Sequence, residues 1–260
     1  ILESETERLL IALYDELNAS LFVPTKIESW FGKDGAYKGI VLNEEENIEL
    51  VGKIDRIDEN EHFYRLIDYK TGRIESSPED IYYGRKLQLA LYLSALGNLK
   101  KQPAGVLYFP IRNEFAKTKQ GALEAYKMKG FILNNEDAIL NMDKTLSLDN
   151  PKSRFIFPEI RREKTLLKNG IIEFKQNNGL LTDEQMQSIA SYARAVASKA
   201  VDEILSGHYA PSPFKKNGGL TCDFCEFRNV CGIVSSDYQS VREPHIKNTK
   251  DFYLGGKIWQ

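Results

Sequence analysis

The sequence predicts an α/β core with helices packed on a sheet, and three observations predict it. Between residues 22 and 69, short β-branched and apolar runs alternate with polar turns, the pattern of antiparallel strands. A helical pattern then leads to the apolar run AGVLYF at 104–109, which stops at Pro110 and reads as a buried strand. A long helix between Thr182 and Gly207 carries a small apolar stripe (Ala190, Ala193, Ala197, Ala200, Val201, Ile204) suited to close packing on that core.

Composition bounds the rest. A chain of 260 residues can bury one large core or two modest ones. A hydrophobic share of 42% and a charged share of 28% describe an ordinary soluble protein. No apolar run approaches the roughly 18 residues that span a bilayer. No signal peptide opens the chain. Three cysteines make no disulfide framework, so a reducing, cytoplasmic setting is expected. The net charge of −2 speaks neither for nor against nucleic acid, because affinity follows local patches. No Gly-rich phosphate loop is present, so nothing suggests an ATPase motor. The chain starts at Ile1, without an initiator Met and already inside a helical pattern, and is read as a piece of a longer polypeptide. Residues 1–210 are expected to form the core, with 211–260 a cysteine-bearing segment packed on it.

In chain order, Ser4 with Glu7 makes a capping-box start. Leu9, Leu10, Leu13, Tyr14 and Leu17 follow at helical spacing to about Ser20, with Glu5, Glu7, Asp15 and Glu16 expected on the solvated face. Strands are predicted at Phe22–Phe31 and Tyr37–Leu42, and then at Ile48–Ile57 and Phe63–Tyr69 about the polar cluster 58–61, a meander closing in a hairpin. Glu28, beside Trp30, reads as an edge-strand surface residue more than as a site carboxylate. Ser77-Pro78-Glu79-Asp80 is a helix entry, Gly84 weakens its continuation, and Leu89, Leu93 and Leu96 form the stripe of a firm helix from about Arg85. A loop at 113–121, a strand at Tyr126–Leu133 and a short helix at Asp137–Met142 come next. Residues 152–175 hold seven basic side chains against three acidic ones, with Phe155, Phe157 and Phe174 interleaved. Such mixing can grip a phosphate backbone, yet a solvated face is the leading reading. Thr182 with Gln185 is a second capping box.

The hairpin carries the chemistry. It reads GKIDRIDENEHFYRLIDYKTG from Gly52 to Gly72, with Asp55, Asp68 and Lys70 on its strands. Asp68 and Lys70 alternate along one strand and so share a face. Asp55 joins them in any unbulged antiparallel register whose paired numbers sum to an odd value, for example Asp55 with Leu66. Two carboxylates so placed can converge on a divalent cation beside the lysine. Asp68 interrupts an apolar strand, where a carboxylate needs a partner or a metal. Lys70 as a structural ion-pair partner explains the same residues equally well. Gln88 and Tyr92, four apart on the following helix, are side-by-side neighbours.

The three cysteines, Cys222, Cys225 and Cys231, fall within ten residues in the pattern C-x2-C-x5-C. Such clustering points to a metal more than to disulfides. Zinc or an iron–sulfur cluster needs four ligands, and His208 or His245 are the candidates within the chain for the fourth.

GKIDRID, IDYKTG and LQLALY in this order resemble the RecB-type branch of the PD-(D/E)xK nucleases. SPFKKNGGLTCDFCEFRNVC resembles the end of the AddB (RexB) nuclease domain of bacterial helicase–nucleases. The resemblance implies a restriction-endonuclease-like fold with a central mixed sheet flanked by helices, and a Mg²⁺- or Mn²⁺-dependent exonuclease acting on DNA in double-strand break repair beside an AddA-like helicase subunit. It implies Asp55 and Asp68 as metal ligands, Lys70 as the catalytic lysine, and Gln88 and Tyr92 as supports of the site and the DNA backbone. It makes Cys222, Cys225 and Cys231 ligands of a [4Fe–4S] cluster whose fourth cysteine lies upstream, with zinc as the alternative. Smaller CRISPR-associated nucleases share the arrangement and rank second. Two departures stand out: the upstream cysteine is absent, and so is the histidine that these enzymes place on an early helix. His62, His208 and His245 all come after Asp55. Both absences suit a truncated N-terminus. They leave a nuclease-fold module that binds DNA or a partner without cutting as the rival expectation.

Overall fold

The computed structural model describes residues 2–72, 74, 77–111, 125–161, 172–208, 211–216 and 219–231. Among them a six-stranded sheet forms the centre. Helix α1 (Leu2–Ala19) leads into edge strand β1 (Val23–Phe31). Strands β2 (Ile40–Asn43) and β3 (Ile48–Leu50) pair only with each other. Strands β4 (Gly52–Glu59) and β5 (Phe63–Lys70) make the central hairpin. Helices α2 (Pro78–Tyr82) and α3 (Gln88–Ala95) then lead to β6 (Gln102–Pro110). Strand β7 (Lys129–Leu133), α4 (Glu136–Met142), β8 (Leu180–Leu181) and the long α5 (Asp183–Leu205) come next. The described C-terminal part holds a small hairpin, β9 (Lys215–Lys216) with β10 (Gly219–Leu220), a 3-10 turn at Thr221–Phe224 and the one-turn α6 (Arg228–Cys231).

The sheet order is β1-β4-β5-β6-β7-β8. β5 runs parallel to β6 and β7 to β8, while the other neighbours are antiparallel, so the sheet is mixed. This corrects the expected meander. The run 48–57 breaks after Leu50, and β4 pairs with β1 rather than with β2. The parallel β5–β6 step requires a crossover, which α2 and α3 supply, as parallel pairs must. Where β6 and β7 adjoin, Gly130 has φ +148, and a Cβ there would stand 2.2 Å from the Val106 carbonyl oxygen. Only glycine lets the two backbones approach so closely.

Sequence expectations meet the structure unevenly. The capping box at Thr182 is present, with Gln185 reaching back, and α5 ends at Leu205 as expected. Its buried stripe is Met186, Ile189, Ala193 and Val196, whereas Ile204 is exposed. The firm helix begins at Gln88, after a separate α2 capped by Ser77, and Leu89, Leu93 and Leu96 are buried as predicted. Ser4 lies inside α1 rather than at its cap. In α1 the core contacts come from Leu9, Ala12 and Leu13, while Leu10 and Tyr14 face outward.

Glu16 reverses its expectation outright. It is buried at 1% exposure, and its carboxylate meets Arg56 Nη2 at 3.2 Å and Arg65 Nη2 at 2.5 Å. Asp58, expected in a polar turn, is fully buried in β4 and accepts from both arginines. The two arginines and two carboxylates neutralise one another, which is the condition for charge to persist in a core.

The basic stretch 152–175 lies partly outside the described residues, as does the predicted loop at 113–121. Within it, Lys152 and Lys175 meet Glu159, and Arg161 meets Glu173. Phe174 is buried, whereas Phe155 and Phe157 are half-buried against the core, with the Arg154 guanidinium 5.6 Å from the Phe155 ring centre.

Candidate active site

The β4–β5 ladder pairs Arg56 with Ile67 and Ile57 with Leu66. Paired numbers sum to 123, the odd parity that one-sided carboxylates require, shifted by two from the example of Asp55 with Leu66. The paired residues end at Arg56 and Ile67; the same register continued one step sets Asp55 against Asp68, where the Asp55 carboxylate reaches across to the Tyr69 backbone N–H. Strand parity puts Asp55 and Asp68 on the face that meets α3, and Arg56, Asp58 and Arg65 on the face that meets α1. Asp55 and Asp68 are thereby separated from the buried charges on the other face.

Each side chain has a defined support. Asp55 Oδ2 accepts the Tyr69 backbone N–H at 2.9 Å, which turns it toward β5. Asp68 is 2% exposed, and its Oδ2 is buried without accepting a hydrogen bond. Lys70 Nζ lies 2.6 Å from that oxygen, a charge contact without hydrogen-bond alignment. Lys70 Nζ also donates to Gln88 Oε1 at 2.8 Å and sits over the Tyr108 ring, 5.3 Å from its centre. Gln88 Nε2 donates to the Tyr92 hydroxyl at 2.8 Å, and that hydroxyl donates to the Lys53 carbonyl at 3.0 Å. The Tyr92 hydroxyl also stands 3.5 Å from Asp68 Oδ1. The predicted Gln88–Tyr92 neighbour pair is thus a bridge from the end of β5 to β4.

Electrostatics follow from burial. Burial pushes the Asp68 carboxyl above the ordinary carboxylate range, with Lys70 pulling the other way and Asp55 adding to the rise. The Tyr92 hydroxyl is pushed up to about 12, chiefly by burial, so at neutral pH it holds its proton and serves as a donor. A buried carboxylate oxygen lacking a hydrogen bond, facing a second carboxylate, is a hard-donor arrangement that suits a divalent cation. Among the described residues no group of three or more His, Cys, Asp or Glu is gathered as a metal site. Two carboxylates nevertheless suffice for Mg²⁺, which keeps several waters or substrate oxygens in its shell. Asp55 and Asp68 fit that ion.

Compared with known protein families, residues 1–232 match the PD-(D/E)XK nuclease superfamily. The chain belongs to this superfamily. The mixed sheet with flanking helices is the expected fold. Among curated relatives, the chain is similar to proteins named as the B-type subunit of an ATP-dependent helicase/deoxyribonuclease. That of Alkaliphilus oremlandii is 29% identical over 92% of this chain, that of Clostridium tetani 32% over 85%, and that of Acetivibrio thermocellus 31% over 86%. The chain spans about a fifth of the length of these relatives, between 20% and 22%. The similarity agrees with the AddB-type resemblance seen in the motifs.

The remaining predicted residues stand apart. Cys222 lies in the 3-10 turn, Cys225 comes just after it and Cys231 ends α6, with the latter two exposed. The set is one ligand short of a four-ligand cluster and is not gathered around one point among the described residues. His208 is exposed just beyond α5, and His245 lies outside the described residues. The segment is nevertheless anchored near α2. Phe214 is buried, its ring 4.7 Å from that of Tyr83 and 4.9 Å from the Arg85 guanidinium. Glu28, on edge strand β1, has φ +49 and pairs with Lys53 at 2.9 Å rather than turning into the site. Lys53 and Arg85 join the surroundings of the site although the sequence singles neither out. Lys53 stands inside the GKIDRID motif, two residues from Asp55 and so on the same face of β4, whereas Arg85 is only a charged residue between the motifs.

Proposed function

We propose that this chain is a divalent-cation-dependent deoxyribonuclease domain that hydrolyses phosphodiester bonds in DNA, working beside an AddA-like helicase subunit in double-strand break repair. The observation that carries the reading is a half-buried lysine, Lys70, held by Gln88 at 2.6 Å from the buried Asp68, with the Asp55 carboxylate anchored on the residue after Asp68, Tyr69. Family membership and the naming of the relatives support it. When bound, Mg²⁺ or Mn²⁺ supplies an acidified water and neutralises charge developing on the phosphate. The protein's own share is positional. Tyr69 N–H aims the Asp55 carboxylate, and Gln88 fixes the Lys70 ammonium beside the place where an attacking water and a phosphate oxygen meet. Lys70 there orients the water by hydrogen bonding and stabilises the pentavalent charge. Tyr92 ties α3 to β4, so the lysine and the carboxylates keep their spacing.

The test is cleavage of single-stranded DNA by this chain with Mg²⁺ or Mn²⁺, against its Lys70→Ala and Asp68→Ala variants. Cutting that disappears in both variants while the circular dichroism is unchanged is the expected result. If Asp68→Ala unfolds the chain and leaves cation affinity as it was, the pair is structural and the reading falls. For the cysteines, we read Cys222, Cys225 and Cys231 as three ligands of an iron–sulfur cluster completed by a ligand outside the described residues. Visible absorption and iron content of anaerobically purified protein test this, with stoichiometric zinc in a colourless protein as the contrary outcome.

A further inference from the structure

We propose that a single, unpaired DNA strand crosses this site between two flanking contacts, a stacking platform formed by Trp30 with Lys53 and a cationic pocket formed by Arg85 and Lys86 beside Lys70. The inference rests on the nuclease reading and specifies which residues outside the site hold the strand.

The platform lies on the edge of the sheet. Trp30 pairs with Lys53 in the β1–β4 ladder, is 47% exposed, and has Lys53 Nζ 5.9 Å from its ring. This is the composition on which unpaired bases stack while the phosphate meets the ammonium. The ion pair of Lys53 with Glu28 is exposed on both sides, at 36% and 69%. Such a pair contributes little, so the ammonium can exchange Glu28 for a phosphate.

The pocket lies at the other end. A cavity of about 330 Å³ is lined by Lys70, Arg85, Lys86, Gln88 and Tyr108 among others, with three cationic side chains and no carboxylate in its wall. That volume is at the low end for small-ligand sites and suits one backbone unit rather than a stacked base pair. Arg85 is fixed by Asp80 at 3.3 Å and by the Phe214 ring, so its guanidinium is preorganised at the rim. The first turn of α3 opens here with no acidic residue and no side-chain cap, which adds positive potential to the same wall.

The order of the two contacts is set by the strand order β1-β4-β5-β6. The sheet gives the lateral order: Trp30 on β1 pairs with Lys53 on β4, two residues from Asp55, and Asp68 on β5 pairs with Tyr108 of the pocket wall on β6. Asp55 on β4 and Asp68 on β5 lie between them. A strand held at both ends therefore presents the intervening phosphate to the carboxylates. Stacking on Trp30 requires an unpaired base, which excludes intact duplex from this track.

The test is fluorescence anisotropy of the 260-residue chain with a labelled single-stranded oligonucleotide in chelator, across a range of NaCl, with the matching duplex alongside. Trp30→Ala should weaken single-strand binding by about 5- to 150-fold at unchanged salt slope, the range of one lost stacked base, and Trp30→Phe should retain most of the affinity. Lys86→Gln should lower the slope of log affinity against log salt by about 0.7 and weaken binding about fourfold at roughly 0.15 M salt. Duplex should bind more weakly and ignore Trp30→Ala. Wild-type affinity and slope in either Trp30→Ala or Lys86→Gln, or duplex binding equal to single strand, overturns the track. Cleavage of the same oligonucleotide with Mg²⁺ separates this from the nuclease reading. A wild-type chain that cuts while the variants bind normally sinks the track alone. A chain that binds through Trp30 and Lys86 but never cuts sinks the nuclease reading alone. Absence of DNA binding by the wild type overturns both.

Discussion

Removing the Glu16 carboxylate tests the charge cluster behind the site. Glu16, Arg56, Asp58 and Arg65 are all buried, two acids against two bases. Glu16→Ala leaves two guanidinium groups against Asp58 alone, a net buried positive charge, and Arg65 Nη1 already lacks a hydrogen-bond partner. Breaking one side of a buried ion set costs about 3–5 kcal/mol. For a chain of this size that corresponds to a fall in Tm of roughly 6–20 °C. The same loss weakens the anchoring of α1, because Glu16 links that helix directly to β4 and β5. The assay is urea and thermal unfolding by circular dichroism, comparing wild type, Glu16→Ala and the double variant Glu16→Leu with Arg65→Met. The double variant leaves Arg56 paired with Asp58, which meet at Nη2 to Oδ2, and fills the space with apolar groups. It should recover most of the loss, since uncompensated charge rather than missing contacts dominates. A Glu16→Ala penalty below about 1 kcal/mol, or a double variant as unstable as the single one, would refute the reasoning.

Three further outcomes depend on particular contacts. The Asp68 carboxyl is raised by burial, so the fold favours its neutral form. Its contribution to stability is then fully present below the ordinary carboxylate pKa and is lost as pH rises through the raised value. Asp68→Asn should therefore be at least as stable as wild type at neutral pH, with the two converging in acid, while cation binding followed by calorimetry disappears; a variant clearly less stable at neutral pH contradicts this. Tyr92→Phe removes the donor to the Lys53 carbonyl and the acceptor for Gln88, costing about 1–3 kcal/mol in unfolding experiments and lowering kcat more than it raises KM. Gly130→Ala drives a methyl into the Val106 carbonyl at a positive φ, and a loss of at least about 2 kcal/mol in chemical denaturation is expected.

Asp55, Asp68 and Lys70 are legible in the sequence because strand alternation is a local rule, and any odd-sum register unites them. Gln88 and Tyr92 are legible as neighbours because helical spacing is local too. Their contacts with Lys70 and the Lys53 carbonyl are not, since these depend on how the crossover returns α3 over the sheet. The reasoning that marks Asp68 as out of place in an apolar strand applies equally to Arg56, Asp58 and Arg65. Their role is hidden in the sequence because their counter-charge, Glu16, sits on α1, 40 residues before Arg56 in the chain.

Periodicities spanning only a few residues were enough to set most element types, the caps at Ser77 and Thr182, the hairpin and the one face on which its acids and lysine stand. No such local rule reaches the pairing of β4 with β1 past β2, the burial of Glu16, or the meeting of Lys70 with Arg85 in one pocket wall. Those outcomes came from the tertiary structure alone. They depend on which distant surfaces exclude water together, and neither spacing nor composition encodes that partnership.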